Sequence, residues 1–330
     1  MNHSRTEILS LFGGEKPSTP PVFSGLIHIT AEGLAGEGLV FHEIHRDARR
    51  MAKASASTFK LTGIPSATLP LDLCVPAEML GAELNFNEDR DFHFPQVRKA
   101  LVESSNTIRE LKTGELENGR LPIILEALGL LKDEIGKELV ISGMIPGPYT
   151  LLLYICNPKN LFIEMKREPQ IVVDALFHLS AFLSQIGNAY KNAGADIITI
   201  HEMGGSPGFI GPAKFEQFVL PALKSLIREL PGPSVLSVCG NTNKSIPALA
   251  QSGADAISVD QLNDLAAARE SLQGIMLFGN LDPVETLWRG NEVEIHAAIR
   301  KATQAGVDAI WPGCDLVPQT SVKNLQSLIR

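Results

Sequence analysis

Three stretches decide how this chain is read: Asn192-Ala-Gly-Ala-Asp-Ile-Ile-Thr-Ile200, Gln251-Ser-Gly-Ala-Asp-Ala-Ile-Ser-Val259 and Gln304-Ala-Gly-Val-Asp-Ala-Ile-Trp-Pro312. Each closes an amphipathic helical segment with a glycine suited to a left-handed turn. Each places an aspartate two residues on and then enters a short apolar, β-branched run. Such a run, apolar on both faces, fits a strand buried in a parallel sheet. Recurring at about 50–60 residues, helix, Gly, Asp and buried strand mark out βα units.

Working outward, strands of the same kind are expected at Val22–Ile29, Ala67–Leu71, Leu139–Met144, Val235–Val238 and Ile275–Phe278. Helices are expected at Asp47–Thr62, Gln170–Asn192, Ala213–Leu230, Lys244–Gln251, Asp264–Ser271, Glu292–Ala305 and Ser321–Arg330. Eight strands alternating with helices, with no Gly-x-Gly-x-x-Gly turn after the first, predict an α/β fold of the closed (β/α)8 TIM-barrel type. Residues 1–330 read as one barrel domain, with 1–19 as an N-terminal extension. Residues 83–136 read as a helical and loop insertion, either a pocket lid or surface decoration.

Composition agrees. Of the 330 residues, 44% are hydrophobic and 20% charged, the balance of a chain with a large buried core. A net charge of -8 argues against a nucleic-acid or anionic-membrane surface. The first residues hold no apolar run suited to a signal peptide, and no window approaches the roughly 20 uninterrupted apolar residues of a membrane span. A cytoplasmic location is therefore expected. The 4 cysteines, Cys74, Cys156, Cys239 and Cys314, have no disulfide-framework spacing. Each is either a small core residue or a reactive or metal-binding thiol.

Barrel enzymes carry their chemistry at the carboxyl ends of the strands. The residues expected there are Asp72, Tyr149, His201-Glu202, Cys239-Gly240-Asn241-Thr242, Asp260, Asn280 and Gly313-Cys314-Asp315. His201, Cys239 and Cys314 thus fall on one rim, with Glu202 adjacent. Three protein ligands and one open position form the pattern of a catalytic zinc. The open position takes a water, or a substrate thiol that the metal holds as thiolate. The plain alternative is two buried cysteines beside a pocket histidine. Asp72, Tyr149, Asn241, Asp260 and Asn280 are the candidate substrate-binding residues, although Tyr149 after Pro148 could simply mark a helix start.

Several motifs resemble the uroporphyrinogen decarboxylase superfamily: Gly143-Met-Ile-Pro-Gly-Pro-Tyr-Thr-Leu151, Phe215-Glu-Gln-Phe-Val-Leu-Pro-Ala-Leu-Lys224, Gly279-Asn-Leu-Asp-Pro283 and the Gly-x-Asp strand entries. The resemblance runs from about Pro20 to the end and implies a distorted barrel. The decarboxylases carry arginines after their first strand to grip a porphyrinogen. Val22-Phe-Ser-Gly-Leu-Ile-His-Ile-Thr30 has none, and a many-carboxylate substrate needs fixed cations.

Three other segments resemble the methylcobamide:coenzyme M methyltransferases: Cys239-Gly240-Asn241-Thr242, Pro312-Gly313-Cys314 and Leu69-Pro-Leu-Asp-Leu-Cys-Val-Pro-Ala-Glu-Met-Leu-Gly-Ala-Glu83. This resemblance implies a zinc held by a histidine and two cysteines. It also implies a thiol acceptor such as coenzyme M, and a methylcorrinoid carried by a partner corrinoid protein. The family histidine falls on Ser237, and a hydroxyl is a poorer zinc ligand than imidazole. His201 is the expected replacement, with Glu202 or Glu216 as an oxygen ligand. Two alternatives are a decarboxylase-like lyase for a smaller acid, using Asp72 and Tyr149, and a non-catalytic barrel that binds a corrinoid protein.

Overall fold

In the computed structural model, which describes residues 3–329, the three repeated glycines take positive φ: 122° at Gly194, 89° at Gly253 and 84° at Gly306. A Cβ disfavours that conformation, so glycine is what lets the chain turn sharply from helix into strand. The repeated aspartates have one shared task. Asp196 donates its N–H to the Ile141 carbonyl at 2.7 Å, and its Oδ2 accepts the Ile141 N–H at 3.0 Å. Asp255 treats Ser234 in the same way, at 3.1 and 2.7 Å, and Asp308 treats Leu277 likewise, at 2.8 and 2.9 Å. Each aspartate thus pins the start of its strand to both polar groups of one residue on the neighbouring strand.

Those pins sit at the lower end of a parallel sheet. Its strands are β1 (Ser66–Leu69), β4 (Val140–Pro146), β5 (Ile197–Glu202), β6 (Ser234–Val238), β7 (Ala256–Val259) and β8 (Met276–Phe278), paired in that order. A separate hairpin of β2 (Leu84–Asn85) and β3 (Gln96–Val97) lies outside it. Eight regular strands were expected and six form. The other two segments close the ring through isolated bridges, Phe278 to Ala309 on one side and Val22 to Ile310 on the other. Ser24 then reaches β1 by donating its N–H to Ser66 Oγ at 2.9 Å.

The reason lies in the first segment. Pro20 and Pro21 lack N–H groups for a ladder, and Gly25 brings its backbone into the barrel interior. A Cβ there would lie 2.2 Å from Thr199 Oγ1 and 2.6 Å from the Trp311 ring.

Helices cover the sheet. Pro169–Ala193, at 25 residues, is long enough to cross a membrane and holds an 18-residue window of mean hydropathy 1.2, but 56% of that window is buried. It packs on Leu220–Glu229 and Leu121–Ile135 through residues such as Leu176, Leu179, Leu183 and Ile186. Leu121–Ile135 corrects the insertion boundary. It packs on Ala48–Thr62 and is the crossover helix between β1 and β4, so the inserted part ends before it. In the N-terminal extension, Ser4 caps the helix Arg5–Leu11, and Arg5 pairs with Asp196 beneath the barrel. The expected helix Ala213–Leu230 forms as one continuous run, Pro212–Lys214, a wider π-helical stretch at Phe215–Val219 and Leu220–Glu229. At the other end Val322–Gln326 is helical, and Arg330 lies outside the described residues.

The clamps predict a stability effect. Asp308→Ala leaves the N–H of fully buried Leu277 without its partner and removes the carboxylate from Arg269, which keeps its bonds to the Leu272 and Ile275 carbonyls. We expect a loss of about 1–3 kcal/mol, read as a lower urea midpoint at unchanged slope.

Candidate metal centre

Side chains on a strand alternate between its faces. On β5, Thr199 and His201 point into the barrel, where Thr199 Oγ1 meets Ser142 Oγ at 2.8 Å. On β6, Ser237 lies directly beside His201 in the register, and Cys239 follows two residues on, above the end of the strand. Cys314 arrives from the loop after Pro312. His201 Nε2 stands 3.0 Å from Cys239 Sγ and 4.0 Å from Cys314 Sγ, and the two sulfurs are 3.2 Å apart. These three donor atoms form the one such group of His, Cys, Asp or Glu among the described residues, all within 4.8 Å of one another.

The loop carrying Cys239 is held on both sides. Ser206 Oγ donates to the Cys239 carbonyl at 2.5 Å, and Asp260 Oδ2 accepts the Gly240 N–H at 3.0 Å. Cys239 opens onto a cleft of about 540 Å3, walled by Leu153, Tyr154, Met203, Phe209 and Leu262.

The two thiols are driven apart in acidity. The Cys239 S–H beside Cys314, and then His201, hold the Cys314 pKa well below the usual thiol value. Cys239 is pushed up in return, by Cys314 and by burial. Burial opposes a charge on His201, but the Asp315 carboxylate and Cys314 outweigh it and raise the imidazole pKa to about 9. Asp315 is itself raised to about 6 by burial.

Zinc with Zn–N of about 2.0–2.1 Å and Zn–S of about 2.3 Å would set N and S about 3.5 Å apart and two sulfurs about 3.8 Å apart. The observed N–S spacings of 3.0 and 4.0 Å bracket the first value, and the S–S spacing of 3.2 Å is shorter than the second, so the sulfurs would part slightly around a metal. One imidazole and two thiols are a donor set that fits zinc.

A sequence model of the uroporphyrinogen decarboxylase (URO-D) family matches residues 3–330. The chain belongs to the URO-D family. It is 32% identical over 303 residues to methylcobamide:CoM methyltransferase MtbA of Methanosarcina acetivorans, covering 91% of this chain and 88% of that protein. It is 24% identical to a methylated-thiol–coenzyme M methyltransferase of Methanosarcina mazei, covering 100% of this chain and 89% of that one. A solved methyltransferase from Methanosarcina mazei superposes with a TM-score of 0.93 at 26% identity, covering 100% of this chain and 98% of that one.

Within this URO-D barrel, several sequence expectations need correction. Glu202 is not beside the cluster. As the residue after His201 it points to the opposite face, toward the helix Pro148–Ile155. There its carboxylate accepts the Tyr149 N–H at 3.1 Å, the Thr150 hydroxyl at 2.5 Å and the Gly205 N–H at 2.8 Å. Glu216 is exposed and lies outside the donor group. Tyr149 is fully buried, and its hydroxyl meets Met165 Sδ at 3.1 Å, away from the cleft.

Asp72 is closed in as well. Arg120 bonds both its oxygens, at 2.9 and 3.1 Å, and His45 Nδ1 lies at 3.1 Å. Burial would raise its pKa, but Arg120 and His45 hold it well below the usual carboxylate range. Asn280 ties loops together, donating to the Asp260 and Asn263 carbonyls at 3.1 and 3.0 Å. Asn241 does line the cleft. The sequence reading missed Tyr154, which lines the cleft with Thr150 and Leu153. Spacings of three and four residues put all three on one helix face.

The thiol electrostatics predict selective alkylation of the metal-free protein at pH 7. Cys314 should react first with iodoacetamide. Cys74 and Cys156, both raised by burial (Cys156 to about 12), should stay unmodified. Peptide mass mapping at partial reaction reads this. Equal labelling of Cys156 and Cys314 would contradict it.

Proposed function

We propose that the protein is a zinc-dependent, corrinoid-linked methyltransferase that moves a methyl group from a methylcorrinoid on a partner protein to a small thiol. It is a transferase of the methylcobamide:thiol type, acting in the cytoplasm, and coenzyme M exemplifies its acceptor. The observation that carries the reading is the convergence of His201 Nε2, Cys239 Sγ and Cys314 Sγ within 4.8 Å at the upper end of the barrel. The family membership and the methyltransferase relatives support it.

Cys239, Cys314 and His201 would hold the metal. Bound there, zinc would keep the acceptor's sulfur as thiolate near neutral pH. The chain's own residues supply the rest. Ser206 and Asp260 fix the Cys239 loop before any ligand arrives, so the donors need little reorganisation. Leu153, Met203, Phe209 and Leu262 give the acceptor a largely apolar path from which water is displaced. In the transfer, the S–C bond forms as the Co–C bond breaks, and cobalt retains the electron pair. His201 takes the part of the family histidine that falls on Ser237, because the two positions are neighbours in the β5–β6 register.

Two outcomes check this reading. The purified protein should take up one equivalent of zinc and methylate a thiol from methylcobalamin, and Cys239→Ala should lose both. His201→Ser should lose most zinc affinity, and adding Ser237→His to it should restore a substantial part. Zinc uptake below about a tenth of an equivalent in the wild type, despite added metal, would sink the proposal, since three matched donors should bind zinc firmly.

A further inference from the structure

The far side of the His201 ring holds an unmet bond. His201 is fully buried, and its Nδ1 has no hydrogen-bond partner. A buried polar atom left so is costly and calls for a reason. The nearest carboxylate oxygen is Asp315 Oδ2, 4.0 Å from Nδ1. The other oxygen, Oδ1, accepts the Ile27 N–H at 2.8 Å, and the next residue, Leu316, donates its N–H to the Ile27 carbonyl at 2.9 Å. The carboxylate is therefore held on the first segment of the barrel and faces the ring from behind, while Nε2 faces the two sulfurs.

We propose that Asp315 is the positioning residue for His201, a role that rests on the zinc reading above. With Nε2 on the metal, Nδ1 carries the proton and donates it to Asp315 Oδ2. A ring displacement of about 1 Å brings that pair to normal hydrogen-bond length. The bond fixes the tautomer, sets the ring plane and makes Nε2 a better donor. The sequence places this carboxylate next to Cys314, so one short loop supplies a sulfur ligand and the support for the nitrogen ligand.

The test is a double-mutant cycle read by zinc affinity, measured by competition with a chromophoric chelator. Asp315→Asn keeps an oxygen for the Ile27 N–H, so the fold should persist, and a melting curve checks this. Asp315→Ala serves as the second variant. We expect Asp315→Asn to weaken zinc binding about 10–100-fold, the range for such outer carboxylates. In the His201→Ala background, the same change should cost less than about threefold, because no ring remains to orient. The absorption of the Co2+-substituted protein should shift in Asp315→Asn alone.

Affinity within about twofold of wild type in both Asp315 variants would overturn the proposal. So would an equal loss with and without His201, which would mean a charge effect only. A wild type that takes up no zinc would overturn the metal reading itself, a result separate from either of these.

Discussion

Parallel strands have no tight turn to fix how far one slides along the next, and a slip of one residue turns every side chain to the other face. Here that freedom is removed at the bottom of the barrel. Asp196, Asp255 and Asp308 each grip both backbone polar groups of one residue on the strand before. The clamps fix β5 on β4, β7 on β6 and the segment around Ala309 on β8, and the upper ends of those pairs inherit that register. His201 faces the interior because β5 is pinned to β4, while its place beside Ser237 rests on the β5–β6 ladder itself, which none of the three aspartates clamps. A one-residue slip of β5 would turn Glu202 inward and send the imidazole into the helix layer.

The second constraint is closure. The segments at the two ends of the chain meet through isolated bridges in place of a ladder, and Gly25 lets the backbone pass against Thr199 and Trp311. The seam runs beside the donor cluster, since Ile27 is bonded to both Asp315 and Leu316. On the far side of the rim, the Asp72, Arg120, His45 and Glu78 cluster anchors the inserted segment. Removing one partner of such a buried pair is strongly destabilising. That is why a carboxylate at a strand end is structural here.

Much of this was legible in the sequence. The Gly-x-Asp entries gave the βα beat, and listing residues after each strand brought His201, Cys239 and Cys314 to one rim. Glu202 was also legible: period-two alternation forbids it from sharing a face with His201. Tyr154 was within reach through its spacing from Thr150. Other features were hidden because they depend on distant partners. Nothing local to Asp72 announces Arg120. Nothing local to Gly25 announces the threonine and tryptophan that exclude a side chain there. The adjacency of positions 201 and 237 depends on register, which local periodicity does not reveal.

That adjacency bears on how such a site changes over time. Two positions paired side by side on neighbouring strands lie on the same face of the sheet. A chain with imidazoles at both would keep its donor count while either one was lost. The proposed nitrogen ligand can therefore migrate from one strand to the next through ancestors that never lacked it.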